Sequence, residues 1–330
     1  MKIFSGIQPT GRKHLGNYIG AIRQYVESQD RGDPAVFCVV DLHATTVAYD
    51  PTELRDRLYD TTAILLAAGL DPEKCILFRQ SDVHEHTELS WLLGGVTAHG
   101  DLNRMTQFKE KSARQKELVS AGLFFYPVLM AADVLAYRAQ EVPVGEDQIQ
   151  HVELMREIAR RFNERFGETL VVPEYRIPEI GARVMDLQEP TNKMSTTAGS
   201  DSGRIYVLDD EKAIRKKFGS AVTDSGREVV RGPDKPGITN LIGIHSVASG
   251  RGEADIESDF VDAGYGDFKK AVAESVVEYL APVRDAYPGI RGDEAALEAV
   301  LEHGANQARE IASATLGDVR EAMGVGAPRK

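Results

Sequence analysis

Four glycines and a proline occur in the stretch Gly6-Ile7-Gln8-Pro9-Thr10-Gly11-Arg12-Lys13-His14-Leu15-Gly16-Asn17-Tyr18-Ile19-Gly20-Ala21. Residues 1–5 before it predict a short strand, and the apolar residues between 17 and 26 recur at helical spacing. Glycines allow a backbone to approach a ligand, and the N–H groups of a first helical turn face an anion. A strand, a glycine-rich loop and a helix in this order predict a phosphate-binding site.

Apolar runs alternate with amphipathic segments over residues 1–80. The runs at 35–40 and 75–78 are typical of parallel strands that are buried on both faces, and a helix is predicted from Pro51 to Leu66. The resulting β-α-β-α-β order predicts an α/β fold with a doubly wound, Rossmann-like parallel sheet. Ligands of such sheets bind at the carboxyl ends of the strands.

Length and composition limit the classes of function. The chain has 330 residues, a formal net charge of −12 and two cysteines, so any contact with nucleic acid has to be localised. Zinc and a disulfide framework are not expected from two cysteines without C-x-x-C pairing. No apolar run approaches the length of a membrane span and no secretion signal opens the chain, so a cytoplasmic protein is predicted.

Helical patterns surround the predicted sheet. Residues 88–135 are expected to form a helical insertion within a Rossmann-like domain at 1–197, and residues 198–330 are expected to form an all-α domain. The basic spot at 215–217 in the latter is either a contact for nucleic acid or a charged solvent face. The cluster His84-Glu85-His86 with Glu88 fits no familiar zinc pattern and is predicted to be a solvated loop.

One carboxylate, Asp133, lies inside the apolar run from 122 to 135. An isolated buried carboxylate costs several kcal/mol, so Asp133 should meet a donor, which comes either from a neighbouring helix or from a ligand. A second glycine-containing turn, 141–148, repeats the architecture of the opening stretch, although Glu146 and Asp147 also favour a helix start without any ligand. Small residues at 198–203 indicate a mobile loop after residue 197.

Two of these stretches resemble signatures of a known enzyme class. The sequence His14-Leu15-Gly16-Asn17 resembles the HIGH signature of class I aminoacyl-tRNA synthetases, and Lys193-Met194-Ser195 resembles their KMSKS loop. The preceding Gly6–Gly11 segment looks like the tryptophanyl and tyrosyl branch. Taken in order, the segments resemble the bacterial-type tryptophanyl-tRNA synthetases over essentially the whole chain. Thr196 stands where KMSKS has its second lysine, so one positive charge that would neutralise phosphate is missing from this loop.

The resemblance implies site residues. Those along ATP would be Gln8, Pro9, Thr10, Gly16, Asn17, Gly145, Glu146, Asp147, Val184, Lys193 and Met194. The residues assigned to catalysis would be His14, Lys111, Lys193 and Ser195. The tryptophan pocket would contain Phe4, His43, Tyr126, Met130, Val142, Val144 and Gln148, with Asp133 accepting the indole N–H. No protein-bound metal is implied.

The implied reaction is attack of the tryptophan carboxylate on the α-phosphate of ATP, followed by acyl transfer to tRNA(Trp). ATP and Mg²⁺ are the implied cofactors, and phosphate oxygens and water would hold most of the Mg²⁺. Residues 198–330 would bind the tRNA anticodon, and the chain would be a homodimer without DNA or membrane partners. A tyrosyl-type synthetase and a non-catalytic tryptophan or ATP sensor remain alternatives.

Overall fold

The computed structural model describes residues 2–108, 119–177, 183–196 and 199–327. Within these ranges, five strands form one parallel sheet in the spatial order β3-β2-β1-β4-β5. They are β1 (Ile3–Ile7), β2 (Ala35–Val39), β3 (Ile76–Arg79), β4 (Glu141–Pro143) and β5 (Glu174–Arg176). The predicted doubly wound, Rossmann-like sheet is confirmed, and its strand order reverses between β1 and β4.

Helices occupy most of the remaining described chain. Before β4 it forms α1 (Leu15–Asn17), α2 (Arg23–Asp30), α3 (Asp41–Ala44), α4 (Pro51–Ala67), α5 (Glu85–Gly94), α6 (His99–Asn103) and α7 (Ala121–Leu135). Later it forms α8 (Ile149–Phe166), α9 (Glu211–Gly219), α10 (Pro236–Ser249), α11 (Glu253–Asp259), α12 (Tyr265–Arg291) and α13 (Glu294–Met323). A π-helical turn, Tyr18–Ile22, joins α1 to α2.

The alternation of side chains along each strand divides the interior into two cores. On β2, Phe37 and Val39 join a core with α4, α9, α10 and α12. Val36 and Cys38 point to the other face and join a core with α5, α7, α8 and α13. Because both faces of the sheet are covered at β2, this strand is the continuous apolar run that the sequence contains at 35–40.

The last helix packs closely against the sheet. A Cβ added at Gly304 of α13 would lie 1.9 Å from the carbonyl oxygen of Leu77 in β3, so the helix can approach the strand only without a side chain there. Both cores contain residues from each side of position 197, and the division into domains at that position stays a prediction. None of the helices in the described ranges is long and apolar enough to cross a membrane.

The cluster around His86 corrects one interpretation of the sequence. Glu85 begins α5, and His86 is fully buried, so the prediction of a solvated loop was wrong. The imidazole lies between Asp133 and Tyr137 and makes a hydrogen bond with each. The polar residue type alone does not indicate that the His86 side chain is buried, because its hydrogen-bond partners lie far away in the sequence.

Candidate active site

A cavity of about 390 Å³ opens between the carboxyl ends of β1 and β4, where the strand order reverses. Strands and helices from both halves of the sheet supply its walls. All eight residues that the resemblance assigns to tryptophan line this cavity, and Gln8 and Gly145 from the two glycine-containing turns line it too. The eight are Phe4, His43, Tyr126, Met130, Asp133, Val142, Val144 and Gln148.

The cavity combines apolar walls with a few polar groups. Phe4 and Val142 are buried core residues, whereas Tyr126 and His151 present ring atoms that are hydrogen-bonded to each other, with 2.8 Å between the phenol oxygen and Nε2. Pockets for small aromatic ligands have this composition, because the polar groups fix the orientation of a ring that the apolar wall holds.

Asp133 is the buried charge of this cavity, with 2% of its surface exposed. Its Oδ2 lies 2.7 Å from His43 Nε2, and its Oδ1 accepts from Gln80 Nε2 at 2.7 Å and lies 2.6 Å from His86 Nδ1. Burial alone would raise the pKa of Asp133, but the His43 and His86 imidazoles outweigh it and hold the pKa below its ordinary value. Asp133 is therefore an ionised acceptor.

His14 caps the first turn of the helix after the glycine loop. The backbone N–H of Asn17 donates to His14 Nδ1 at 3.3 Å, and the His14 N–H donates to Asn17 Oδ1 at 3.1 Å, which is a reciprocal capping arrangement. Burial, aided by the charges of Lys13, Arg204 and Lys193, lowers the pKa of His14 to about 4. The ring is neutral at pH 7, and because Nδ1 accepts, the proton is on Nε2.

Two glycines of the opening stretch are set by close contacts. Gly11 has a φ of +64°, and a Cβ placed on it would lie 3.2 Å from Thr196 Cβ, so the two signature loops meet at this point. A Cβ on Gly16 would lie 3.0 Å from the His14 ring. A larger residue at Gly11 would push the two signature loops apart, and one at Gly16 would displace the His14 ring.

Lys13 holds the same loop from below. Its Nζ donates to the carbonyl oxygens of Gln8 at 2.8 Å and Thr10 at 3.3 Å. Burial, together with the charge of Arg57, lowers its pKa to about 7. Lys13 thus fixes the backbone of the glycine-containing loop at two positions.

The second signature stretch is anchored on its neighbours. The Met194 N–H donates to the Val184 carbonyl at 2.9 Å, and both side chains are buried. Lys193 Nζ lies 2.9 Å from Asp147 Oδ1. Burial acts to raise the pKa of Asp147, but its hydrogen bond with Gln148 and the Lys193 ammonium lower it overall.

The remaining assigned residues are only partly brought together. Pro9 is buried, and Thr10 donates to the Gln8 side chain at 3.4 Å. Glu146 is exposed and Ser195 is half-buried. Lys111 lies outside the described residues.

Several residues of the site were not identified from the sequence. Gln80 and His86 bind Asp133, and Tyr137 binds His86. The four-residue spacing of Asp133 and Tyr137 gave no signal of this network either, because Tyr137 lies beyond the end of α7. Nothing local to residues 80–86 indicates that they meet Asp133.

Comparison with known proteins places the chain in a family. Residues 1–281 match the family described as tRNA synthetases class I (W and Y). A tryptophan–tRNA ligase of Wolinella succinogenes is 48% identical over 324 residues, covering 98% of each chain. The tryptophanyl-tRNA synthetase structure from Mycoplasma pneumoniae has a TM-score of 0.92, with 35% identity and 98% of both chains covered.

A second solved structure, from Campylobacter jejuni, is a tryptophanyl-tRNA synthetase complexed with ADP and tryptophan. Its TM-score is 0.83, with 35% identity, 98% of this chain covered and 100% of that one. These similarities extend over 98% of the chain and include both signature stretches and the residues that line the cavity. The chain therefore belongs to the class I aminoacyl-tRNA synthetases, in their bacterial tryptophanyl branch.

Proposed function

We propose that this protein is a tryptophan–tRNA ligase, which activates tryptophan with ATP and transfers the tryptophanyl group to tRNA(Trp). The observation that carries the proposal is the ionised Asp133 carboxylate, which lies in an apolar cavity beside two glycine-containing turns. A buried acceptor favours an aromatic amino acid with one ring donor, because a ring that lacks the donor leaves one acceptor position of the carboxylate desolvated and unfilled.

Tryptophan would occupy the cavity with its indole N–H directed at Asp133. Phe4, Met130, Val142 and Val144 would pack against the ring, and the first and third are already buried in the core. Tyr126, Gln148 and His43 would bind the amino and carboxylate groups. The Campylobacter jejuni relative was solved in complex with ADP and tryptophan, which supports binding of both ligands by this chain.

ATP would lie along the opening stretch, with the phosphates at the start of α1. There His14 is neutral and holds its proton on Nε2, so it would donate a hydrogen bond to a phosphate oxygen without adding charge. Gln8, Pro9, Thr10, Gly16 and Asn17 would follow the nucleotide. Gly145, Glu146 and Asp147 would hold its ribose side, and Val184 and Met194 would hold its adenine side.

The chemistry requires no protein nucleophile. A carboxylate oxygen of tryptophan forms a bond to the α-phosphorus, and the bond to the bridging oxygen breaks, so pyrophosphate leaves with the electron pair. A terminal tRNA hydroxyl then attacks the acyl carbonyl, loses its proton and displaces AMP. Lys193, Ser195 and Lys111 would neutralise and orient the pyrophosphate, which is the main contribution that a protein makes to such a transfer.

Magnesium would enter with ATP. Phosphate oxygens and water would hold most of the ion. When bound, Mg²⁺ supplies positive charge to the phosphates. From the chain itself, Lys193 and Lys111 would add positive charge beside the phosphates.

The remaining partners follow from the family. The helical region 198–330 would bind the tRNA anticodon, and the chain would act as a cytoplasmic homodimer. The side chain of Trp91 in α5 is 77% exposed, and a large exposed aromatic residue is typical of an interface. This exposure supports a dimer contact in the part of the insertion that includes Trp91, at 88–116.

The test is amino-acid-dependent exchange of pyrophosphate into ATP. Exchange with tryptophan and not with tyrosine is expected. Asp133→Ala should lower kcat/KM for tryptophan by a factor that corresponds to a loss of on the order of 2–4 kcal/mol in transition-state stabilisation. Exchange with tyrosine would instead indicate the tyrosyl enzyme. Binding of tryptophan without any exchange would indicate a sensor.

A further inference from the structure

The acceptor positions of Asp133 are occupied unevenly. A carboxylate oxygen has two lone-pair positions, and Oδ1 already has two donors, Gln80 Nε2 at 2.7 Å and His86 Nδ1 at 2.6 Å. Among the residues that the structure describes, Oδ2 has one donor, His43 Nε2 at 2.7 Å. One further position on Oδ2 is therefore the one that a ligand in the cavity can reach.

The Gln80 amide has a defined orientation. Its Oε1 accepts the Leu42 N–H at 3.0 Å, so the amide nitrogen faces Asp133 and donates. Gln80 is fully buried, and the carboxylate of Asp133 meets a donor that cannot rotate away.

The orientation of His86 depends on Tyr137. Asp133 is ionised and can only accept, so His86 Nδ1 carries a proton and donates. The phenol oxygen of Tyr137 lies 2.6 Å from His86 Nε2, and burial raises the pKa of Tyr137, so the phenol keeps its proton. With the phenol donating to Nε2 and Nδ1 donating to Asp133, the hydrogen bonds run in one direction, from Tyr137 through His86 to the carboxylate.

We propose that Gln80, His86 and Tyr137 are positioning residues for amino-acid selection. They saturate Asp133 Oδ1 and fix the carboxylate plane, so that the indole N–H of the substrate meets the second acceptor position of Oδ2, beside His43. This rests on the proposed function, because it assigns the orientation of the substrate that the function requires. The ligand class is an aromatic amino acid whose ring has a single N–H donor.

The decisive variant is Tyr137→Phe, which keeps the ring and removes only the donor to His86. Pyrophosphate exchange is measured with tryptophan and with 3-(benzothiophen-3-yl)alanine, in which sulfur replaces the indole N–H. The ratio of the two kcat/KM values should fall by roughly 10-fold, the effect of one buried hydrogen bond, with the KM for ATP unchanged. Tyr287→Phe removes a comparable phenol bond, 2.8 Å to Asp60, and should leave the ratio unchanged.

A second measurement does not depend on activity. The ¹⁵N shifts of the His86 ring should report a protonated Nδ1 and an accepting Nε2 in the wild-type protein, and Tyr137→Phe should change the Nε2 shift. A wild-type ring protonated on Nε2 alone would overturn the proposal.

The outcomes separate the two proposals. If Tyr137→Phe retains the ratio while Asp133→Ala abolishes it, the positioning role is wrong and the tryptophan site stands. If Asp133→Ala also retains the ratio, the assignment of the tryptophan site fails.

Discussion

Lys193 Nζ lies 2.9 Å from Asp147 Oδ1, and this ion pair joins two segments that are separated by 46 residues. Both side chains are about half exposed, so the pair contributes little to stability. Its significance is positional. It holds the lysine of one proposed ATP-binding segment against the acidic turn of the other.

Replacing Lys193 tests its role in the transition state. Lys193→Ala should lower kcat for adenylate formation by at least roughly 100-fold, with a smaller effect on tryptophan binding, because the leaving pyrophosphate loses a charged donor. Single-turnover adenylate formation is the measurement. Lys216→Ala, which removes an exposed lysine from α9, is the control.

The missing second lysine of the signature makes a companion variant informative. Thr196→Lys should be tolerated or mildly activating, because Thr196 is only half-buried and a lysine would restore the charge that the signature carries at this position. Adenylate formation that is indifferent to Lys193 would contradict the assignment of this loop to catalysis.

The proposed tRNA surface is narrower than the basic spot in the sequence. Arg215 makes ion pairs with Glu211 and Glu274 at 2.9 and 2.7 Å. Lys217 is buried, and its Nζ lies 2.7 Å from Asp209 Oδ2. Charge reversal at Lys217 would break a buried pair and disturb the fold.

Charge reversal is better placed on the exposed lysines of α9. The double variant Lys212→Glu and Lys216→Glu should raise the KM for tRNA and lower the salt dependence of tRNA binding by about one unit of slope for each lost phosphate contact. Pyrophosphate exchange should persist. Lys74→Glu, at a residue that is 61% exposed, is the control. Equal loss of aminoacylation and of pyrophosphate exchange in the double variant would indicate a structural role for α9.

Trp91 tests the proposed homodimer. Trp91→Glu should shift the mass in solution at micromolar concentration towards the monomer, because a charge at the centre of an apolar contact is left without a partner. Analytical ultracentrifugation measures the shift. Val261→Glu changes a residue that is 70% exposed and should leave the mass unchanged. An unaltered mass for Trp91→Glu would exclude this face as the contact.

Lys13 gives the unfolding free energy a defined pH dependence. Burial lowers its pKa to about 7 in the folded chain, so the unfolded state binds more protons between pH 7 and about pH 10. Burial of the charged Lys13 ammonium destabilises the folded state to its full extent below pH 7, and this destabilisation disappears as the pH rises from 7 to about 10. The free energy of unfolding of the wild type relative to Lys13→Met should therefore increase from pH 7 to pH 10.

Denaturant titrations of both proteins across that range measure the difference. A constant difference would mean that Lys13 stays charged in the folded chain. The matched substitution Lys216→Met, at an exposed lysine, should show no such trend.

The sequence alone indicated the sheet and the position of the site. Apolar runs at 35–40 and 75–78 predicted β2 and β3, because strands buried on both faces require apolar residues at every position. Asp133 was singled out because a charge inside the apolar run from 122 to 135 needs a partner. The short strand β5 was not predicted, since Glu174 and Tyr175 are exposed and only pairing with β4 makes the segment a strand.

Tertiary structure decided which partners these residues have. Local periodicity reports whether a side chain is buried, but it does not report what lies on the other side of the contact. His86 reads as a polar letter in a loop, and its burial becomes visible only when α7 places Asp133 2.6 Å away. The ion pair of Lys193 with Asp147 and the burial of Lys217 have the same cause, because packing joins residues that are far apart in the chain.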